Sequence, residues 1–162
     1  MDTTLRPAGM ASLATVLTWV GTPEQMRWWG GPALPFPGTP ATVWAAIAGA
    51  PGNTFVLEDG AGAMVGFGQM LPRSGQVHLA RLIVAPERRG QGLGRSLCQH
   101  LIRTAVACHR PDNITLNVYA GNEPAAALYR SLGFRVVPGA EREGVVRMAL
   151  QAREPSAGRP GG

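Results

Sequence analysis

The chain has 162 residues, a length that fits one domain able to bury its own hydrophobic core. All 15 of its cationic side chains are arginine, and the absence of lysine excludes Schiff-base catalysis and the lysine-dependent phosphate loop of the Walker type. The formal net charge is +5, but the arginines are scattered from Arg6 to Arg159 and form no basic stripe. Nucleic acid is therefore not expected as a partner.

The first third of the chain is predicted to hold one strand and three helices. The strand covers residues 3–7, and the first helix opens near Ser12. The second helix has Thr22 in the capping position, Pro23 at the first helical position and an acid in its first turn, which is the pattern of a helix start. Residues 30–40 carry four prolines and are predicted to form an irregular loop before the third helix.

The remainder of the chain alternates between strands and helices. Three apolar segments separated by turns predict an antiparallel meander, over residues 53–59, 64–71 and 77–86. The later elements are a helix over 95–109, a strand over 114–120, a helix over 123–133 and strands over 134–139 and 144–150. We therefore expect a mixed sheet with helices, an α/β or α+β fold, in one domain over residues 1–150. Residues 151–162 lack apolar periodicity and are expected to be a disordered tail.

The cysteines and the apolar segments bear on the location of the protein. Cys98 and Cys108 fall in one predicted helix, where ten residues of rise separate them by about 15 Å, too far for a disulfide. Both thiols are expected to be small core residues in a reducing compartment, and no metal-ligand spacing is present. The longest apolar run near the N-terminus, residues 10–21, is too short to cross a bilayer. We expect a cytoplasmic protein with no metal and no membrane partner.

The stretch "RLIVAPERRGQGLGRS", residues 81–96, joins an apolar strand to a helix through three glycines. A helix N-terminus offers unpaired N–H groups and a positive dipole end, and glycines let the backbone approach an oxyanion closely. Similar turns also occur without a ligand. The Walker loop is excluded because no lysine is present, and the dinucleotide pattern G-x-G-x-x-G fails because its third glycine falls on Arg95 or Leu97.

What does fit is R-x-x-G-x-G, as Arg89 to Gly94, directly after "LIVAPE". With it, the chain resembles the GCN5-related N-acetyltransferase (GNAT) superfamily, whose acetyl-CoA motif is a strand, Q/R-x-x-G-x-G/A and a helix. A second block, "LNVYAGNEPAAALYRSLGF" over residues 116–134, is similar to the family's late strand and helix. The resemblance extends over about residues 3–150. It implies a GNAT fold with a mixed, mostly antiparallel sheet of six to seven strands and helices on both faces.

The resemblance also implies how acetyl-CoA is bound. The backbone of Leu82, Ile83 and Val84 would pair with the pantetheine arm like an added strand. The pyrophosphate would lie on the backbone of the glycine loop and on the arginine that follows it, namely Arg89, Gly90, Gln91, Gly92, Leu93, Gly94 and Arg95. Asn122 matches the family's asparagine that hydrogen-bonds the cofactor arm, but it is equally placed to cap the following helix.

The catalytic groups follow from the same resemblance. Tyr129 matches the tyrosine that protonates the leaving thiolate of CoA, and the alternative is a buried aromatic that anchors its helix. An amine attacks the thioester directly, with the N–H of Ile83 or Val84 polarising the carbonyl, so no cysteine nucleophile is needed. His78 stands where many relatives have a glutamate base, although it is equally interpretable as an exposed strand residue. Asn117 stands where ribosomal-protein alanine acetyltransferases carry a glutamate, which counts against that subfamily.

The acceptor is expected across the sheet from the cofactor. Its candidate contacts are aromatic side chains and one acid able to attract a cationic amine: Trp28, Trp29, Phe36, Phe67, Tyr119 and Glu24. The two tryptophans are equally interpretable as core, and adjacent helical positions diverge by about 100°, so only one of them is expected to face a given pocket. We predict an N-acetyltransferase for a primary amine of a small molecule or peptide, as a monomer or homodimer. The alternative is an acyl-CoA sensor without turnover.

Overall fold

The computed structural model describes residues 2–152 of the chain. Within them, seven strands and five helices follow one another as β1 (Thr3–Pro7), α1 (Ser12–Trp19), α2 (Pro23–Gly30), α3 (Pro40–Ala46), β2 (Thr54–Asp59), β3 (Met64–Arg73), β4 (Gln76–Val84), α4 (Leu93–His109), β5 (Asn113–Tyr119), α5 (Glu123–Ser131), β6 (Arg135–Val136) and β7 (Val145–Gln151). β7 continues one residue past the predicted domain boundary, and the predicted tail lies outside the described residues from position 153 onward.

The seven strands form one sheet in the order β1-β2-β3-β4-β5-β7-β6. β4 and β5 run parallel, whereas the other neighbouring pairs are antiparallel. The helix α4 makes the crossover that a parallel pair requires. The expected mixed, mostly antiparallel sheet is therefore confirmed.

Helices cover both faces of the sheet. Along β2, Phe55 and Leu57 belong to one buried cluster while Val56 belongs to the other, because successive strand residues point to opposite faces. The first cluster packs under α4 and α5, and the second packs under α1, α2 and α3. The core is thus two apolar layers separated by the sheet.

Local sequence explains where the helices begin. Thr22 caps α2 by accepting from the N–H of Gln25 at 3.1 Å, and Thr39 caps α3 through a reciprocal capping box with Thr42. α4 starts at Leu93, two residues before the predicted start, because Gly92 stands before it in a left-handed conformation with φ of 79°. The glycine loop therefore ends two residues earlier than the sequence indicates.

β4 loses one of its two strand partners halfway along its length. It pairs with β5 only from Gln76 to Leu79, and beyond this point the two strands are not hydrogen-bonded to each other. On its other edge, opposite β3, the register shifts so that two residues of β4, Arg81 and Leu82, face the single residue Gly68. This bulge bends β4 away from β5 and opens a gap in the middle of the sheet.

Three sequence expectations concern groups scattered over the fold. Cys98 is buried as expected, but Cys108 is exposed, because it lies in the last turn of α4, where residues 106–110 face solvent. No helix in residues 2–152 is long and apolar enough to cross a membrane. Over the same residues, no three histidines, cysteines or acids lie close enough together to hold a metal ion.

Candidate active site

A cleft of about 990 Å³ opens where β4 and β5 diverge. This volume is at the upper end of the range of small-molecule sites. Its walls come from both faces of the sheet, since α4 and α5 line one side and the ends of α1 and α2 line the other. The cleft therefore passes through the sheet, and its two ends can hold two different molecules.

The glycine loop forms one end of the cleft. Gly90 and Gly92 have φ of 77° and 79°, and a Cβ at either position would meet no atom within 4 Å. The N–H groups of residues 90–92 donate to no described residue, and those of the first turn of α4 have no partner within the helix. Three arginines adjoin this end of the cleft, Arg88, Arg89 and Arg95. Unpaired amides at a helix N-terminus, open space and positive charge together suit a phosphate or diphosphate.

The exposed edge of β4 forms the middle of the cleft. Leu82, Ile83 and Val84 line it, and on the side towards β5 this stretch has no strand partner. Unpaired strand N–H and C=O groups are a template for an added extended chain. The side chains of Leu82 and Val84 pack into the cluster under α4, as expected for core residues.

Tyr129 and Cys98 face each other across the floor of the cleft. Burial, together with the neighbouring Cys98, raises the pKa of the Tyr129 phenol above its ordinary value, so the hydroxyl keeps its proton throughout the neutral range. The ring packs edge-on against Phe134, with centroids 6.0 Å apart. Burial raises the pKa of the Cys98 thiol to about 12, which leaves it protonated and poorly nucleophilic.

Asn122 lies at the rim of the cleft and caps α5. Its Oδ1 accepts from the N–H of Ala125 at 3.4 Å. The side-chain amide nitrogen donates to no described residue, so it remains available to a bound molecule. Asn122 thus caps α5 in the structure, and its amide nitrogen stays available for a hydrogen bond to the cofactor arm.

α2 spans the opposite end of the cleft and is tied to both diverging strands. The indole N–H of Trp29 donates to the carbonyl of Arg81 on β4 at 2.8 Å. The hydroxyl of Tyr119 on β5 donates to the carbonyl of Arg27 at 3.2 Å. Both Trp28 and Trp29 line the cleft, so the expectation of a single one was wrong. The gap is wide enough to take a deeply seated indole, 8% exposed, and its neighbour at the rim, 59% exposed.

Five residues expected at the site do not line the cleft. Phe67 is fully buried and packs edge-on against Trp29, with ring centroids 5.8 Å apart. Phe36 adjoins a separate small hollow, Glu24 is exposed at the start of α2, and the side chain of Gln91 accepts from Arg88 at 3.1 Å. The fifth residue is His78. None of the described residues that line the cleft is an aspartate or glutamate.

His78 is buried in the sheet rather than exposed. It is 7% exposed, and its Nδ1 lies 2.8 Å from Oγ1 of Thr115 on β5. Burial, reinforced by the charges of Arg73, Arg147 and Arg81, lowers its pKa to about 4. The imidazole is therefore neutral at pH 7 and enclosed by the parallel part of the β4–β5 ladder.

Several cleft residues were not anticipated from the sequence. They come from the ends of α1 and α2, the body of α4, the turn into α5 and α5 itself: Trp19, Val20, Gln25, Leu97, Cys98, Ala120, Gly121, Pro124, Ala125 and Leu128. Leu97 and Cys98 on α4 follow Gly94 by three and four residues, and Ala125 on α5 precedes Tyr129 by four, a helical spacing that is visible in the sequence. Those on α1 and α2 depend on how these helices dock on the sheet.

Comparisons with known proteins agree with this geometry. The model of the acetyltransferase (GNAT) family matches residues 23–134. A spermidine N-acetyltransferase from Vibrio cholerae, solved with CoA and spermine, superposes with a TM-score of 0.75 at 20% identity, over 93% of this chain and 95% of that one. The ribosomal-protein-S18-alanine N-acetyltransferase from Escherichia coli superposes with a TM-score of 0.70 at 25% identity, over 97% and 98%.

The curated relatives match the chain over shorter segments. A 5-NmdU N-acetyltransferase of Pseudomonas phage PaMx11 is 45% identical over 53 residues, which are 33% of this chain and 35% of the phage protein. Matches of this kind cover between 24% and 38% of the curated relatives. These relatives share a segment with the chain and not their whole length.

Proposed function

The chain belongs to the acetyltransferase (GNAT) family, and from this premise we propose that it transfers an acetyl group from acetyl-CoA to a primary amine of a small molecule or peptide. One observation carries the proposal. A single cleft joins an open glycine loop with unpaired amides, a free strand edge and a protonated tyrosine. An anionic, extended thioester requires these three elements in this order.

The residues of the cleft fit the donor. We assign the diphosphate to the amides of residues 90–95 with Arg89 and Arg95, and the pantetheine arm to the backbone of residues 82–84 and to Asn122. The open space beside Gly90 and Gly92, which a side chain would fill, supports this assignment. When bound, acetyl-CoA supplies an activated acetyl group and a thiolate leaving group.

Tyr129 is the proposed general acid. Its hydroxyl holds a proton at Oη, donates to no described residue and lies beside the cleft floor. Phenol and thiol have neighbouring intrinsic pKa values, and burial raises both, so the proton can pass to a departing thiolate without a large uphill step. The N–H of Ile83 or Val84 is the proposed donor to the carbonyl oxygen.

No carboxylate among the described residues lines the cleft, so we infer that the acceptor reaches it as a neutral amine or gives its proton to water. His78 stays a candidate base, but its enclosure beside Thr115 gives an acceptor in the cleft no direct path to it. A polycation such as the spermine bound to the Vibrio cholerae protein would meet no opposite charge on these walls. We therefore favour acceptors of low positive charge.

The proposal is tested by two measurements on the whole chain. Titration calorimetry with CoA should give saturable, one-to-one binding, and a thiol-release assay across a panel of amines should detect acetyl transfer to at least one class. Absence of CoA binding would refute the proposal. Tight CoA binding with no transfer to any amine would point to an acyl-CoA sensor instead.

A further inference from the structure

Arg81 is held in place on the face of the sheet that α1, α2 and α3 cover. Its Nη1 donates to Oε1 of Gln69 at 2.7 Å. The amide nitrogen of Gln69 donates in turn to the carbonyl of Ile47 and to Oγ1 of Thr54, both at 3.0 Å. Because that nitrogen is committed to two acceptors, the amide oxygen has to face Arg81. The guanidinium is therefore fixed by a buried network.

One edge of this guanidinium has no partner. Nε is buried, and no described residue accepts a hydrogen bond from it; the same holds for Nη2. Nε and Nη2 form the side-on edge through which arginine binds a carboxylate with two parallel hydrogen bonds. Burial also lowers the pKa of Arg81. A partly buried cation with an unfilled bidentate edge is costly unless an anion binds there.

The backbone at Arg81 is also unusual. Its φ of 54° is left-handed, a conformation that is unfavourable for residues with a side chain. The indole N–H of Trp29 donates to its carbonyl, so the backbone is held from the cleft side while the side chain is held from β3. Such strain is concentrated at functional sites in proteins.

The surroundings of Arg81 are positively charged. Arg147 lies on the neighbouring part of the sheet, where its Nε donates to Oδ1 of Asn117 at 3.2 Å, and Arg73 ends β3. These three arginines act together on His78. No ion pair links any of them to a described acid. The positive charge on this part of the sheet is therefore not offset by an ion pair among the described residues.

We propose that the acceptor is an amine that also carries a carboxylate, and that Arg81 binds this carboxylate through Nε and Nη2. The proposal rests on the acetyl transfer proposed above and adds the chemical class of the acceptor. Arg81 does not itself line the cleft, but Trp29, which donates to its carbonyl, and Ile83, two residues along β4 on the same face, both do. A carboxylate bound at Arg81 therefore puts the amine of the same molecule at the gap. The three residues from Arg81 to Val84 span about 10 Å of strand, so this site is separate from the glycine loop.

The same positive charge serves the chemistry. An ammonium group next to unpaired arginines loses its proton more easily, because like charge disfavours the protonated form. One acceptor molecule can therefore bind Arg81 through its carboxylate while its amine is neutral at the gap. This accounts for a cleft that has no carboxylate base among its described residues.

The test compares matched acceptors. ω-Amino carboxylates of four to six carbons are assayed against their own primary amides, because amidation removes the charge and, at this distance from the nitrogen, changes the pKa of the amine little. We expect kcat/KM to favour at least one acid over its amide by tenfold or more, and the acids to be preferred over polyamines. Peptides with a free N-terminus are assayed with either glutamate or glutamine at the second position. A preference for the glutamate peptide would indicate an acidic peptide as the acceptor, rather than a free small acid.

Variants of Arg81 tie the preference to the proposed contact. Arg81→Met removes the charge, and Arg81→Lys keeps it but lacks the bidentate edge. Both should reduce the acid-to-amide ratio, to near one for Met, with the KM of acetyl-CoA unchanged. Arg142→Gln, which removes an equal charge from an exposed turn, should leave the ratio as in the unmodified protein. If Arg81→Met fails to fold, Arg81→Lys carries the comparison.

A second readout does not depend on turnover. Because the indole of Trp29 is bonded to the backbone of Arg81, 5-aminopentanoate should change tryptophan fluorescence saturably, whereas its amide should not. The response should be lost in Arg81→Met or Arg81→Lys. If no amine is acetylated but this fluorescence response is present, the proposed acetyl transfer is refuted and the proposed carboxylate site at Arg81 is supported. Equal binding of acid and amide, or an acid response unchanged in both variants, would overturn the proposed site.

Discussion

The two ends of the cleft are built in different ways. The end at the glycine loop uses backbone amides from one continuous stretch, residues 90–95, and little side-chain chemistry. The end under α2 uses side chains that meet only in the folded chain, since Trp29, Arg81 and Tyr119 come from three elements. A backbone site can stay the same while many side chains change, whereas a side-chain site changes with each substitution. This difference suits a constant donor and a variable acceptor.

Removing the hydroxyl of Tyr129 is expected to have the largest effect on activity, because acetyl transfer requires the groups at both ends of the cleft at the same time. Tyr129→Phe keeps the ring against Phe134 and loses the proton donor. We expect kcat to fall by about 10²–10⁴-fold, the usual range for a lost general acid. CoA affinity, measured by calorimetry, should change less than threefold. An unchanged kcat would remove Tyr129 from the mechanism.

Acid should destabilise the folded protein by protonating His78. Its folded pKa of about 4 lies below the value of about 6.5 in the unfolded chain, so the unfolded state binds more protons between these pH values. Stability is therefore complete above pH 6.5 and is lost as the pH falls towards 4, by up to about 3 kcal/mol. His78→Gln, which can still bond Thr115, should show a smaller loss between pH 7 and pH 5 in denaturant unfolding. Equal losses in both proteins would contradict the neutral, buried imidazole.

The glycine loop offers a matched pair of substitutions. Gly92 and Gly139 have φ of 79° and 76°, and both have open space around a Cβ. Alanine at either position should cost about 1 kcal/mol of folding free energy through the left-handed backbone. Only Gly92→Ala should also weaken CoA binding, by about tenfold or near 1.4 kcal/mol, because only this loop borders the cleft. Similar CoA affinities for the two variants would argue against the diphosphate assignment.

The smallest expected effect concerns Trp29. Trp29→Phe retains most of the packing on Phe67 but loses the hydrogen bond to the carbonyl of Arg81, a contribution of about 1 kcal/mol. The KM for the acceptor should rise about threefold to fivefold, while the KM for acetyl-CoA stays constant. Equal changes in both KM values would mean that the two ends of the cleft are not independent.

Features built from one continuous stretch of chain could be predicted from the sequence, and features that depend on distant segments could not. The helix starts at Pro23 and Pro40, the meander and the glycine loop rest on contiguous patterns, and the structure has all of them. Phe67 and His78 were expected at or near the site, but their positions depend on which face of the sheet each strand residue occupies, and both are buried elsewhere. The acid Glu24 was considered for its charge alone, and its place at the exposed start of α2 keeps it outside the cleft.

Arg81 was not identified as a site residue from the sequence. It stands inside an apolar run that reads as a continuous strand, and neither its left-handed backbone nor its bond to the fully buried Gln69 can be deduced from neighbouring residues. Both depend on pairing between distant segments. A polar residue in an apolar strand is the kind of local inconsistency that is expected at functional sites.

The extra residue in β4 reverses which of its side chains point to which face of the sheet. Before it, Val77 and Leu79 point into the layer under α4; after it, Leu82 and Val84 do so. In an uninterrupted strand the alternation would send Arg81 into that apolar layer and turn Leu82 towards the acceptor. Deleting one residue here would exchange the two faces of the last third of β4, so one inserted residue decides which side of the protein meets the donor and which meets the acceptor.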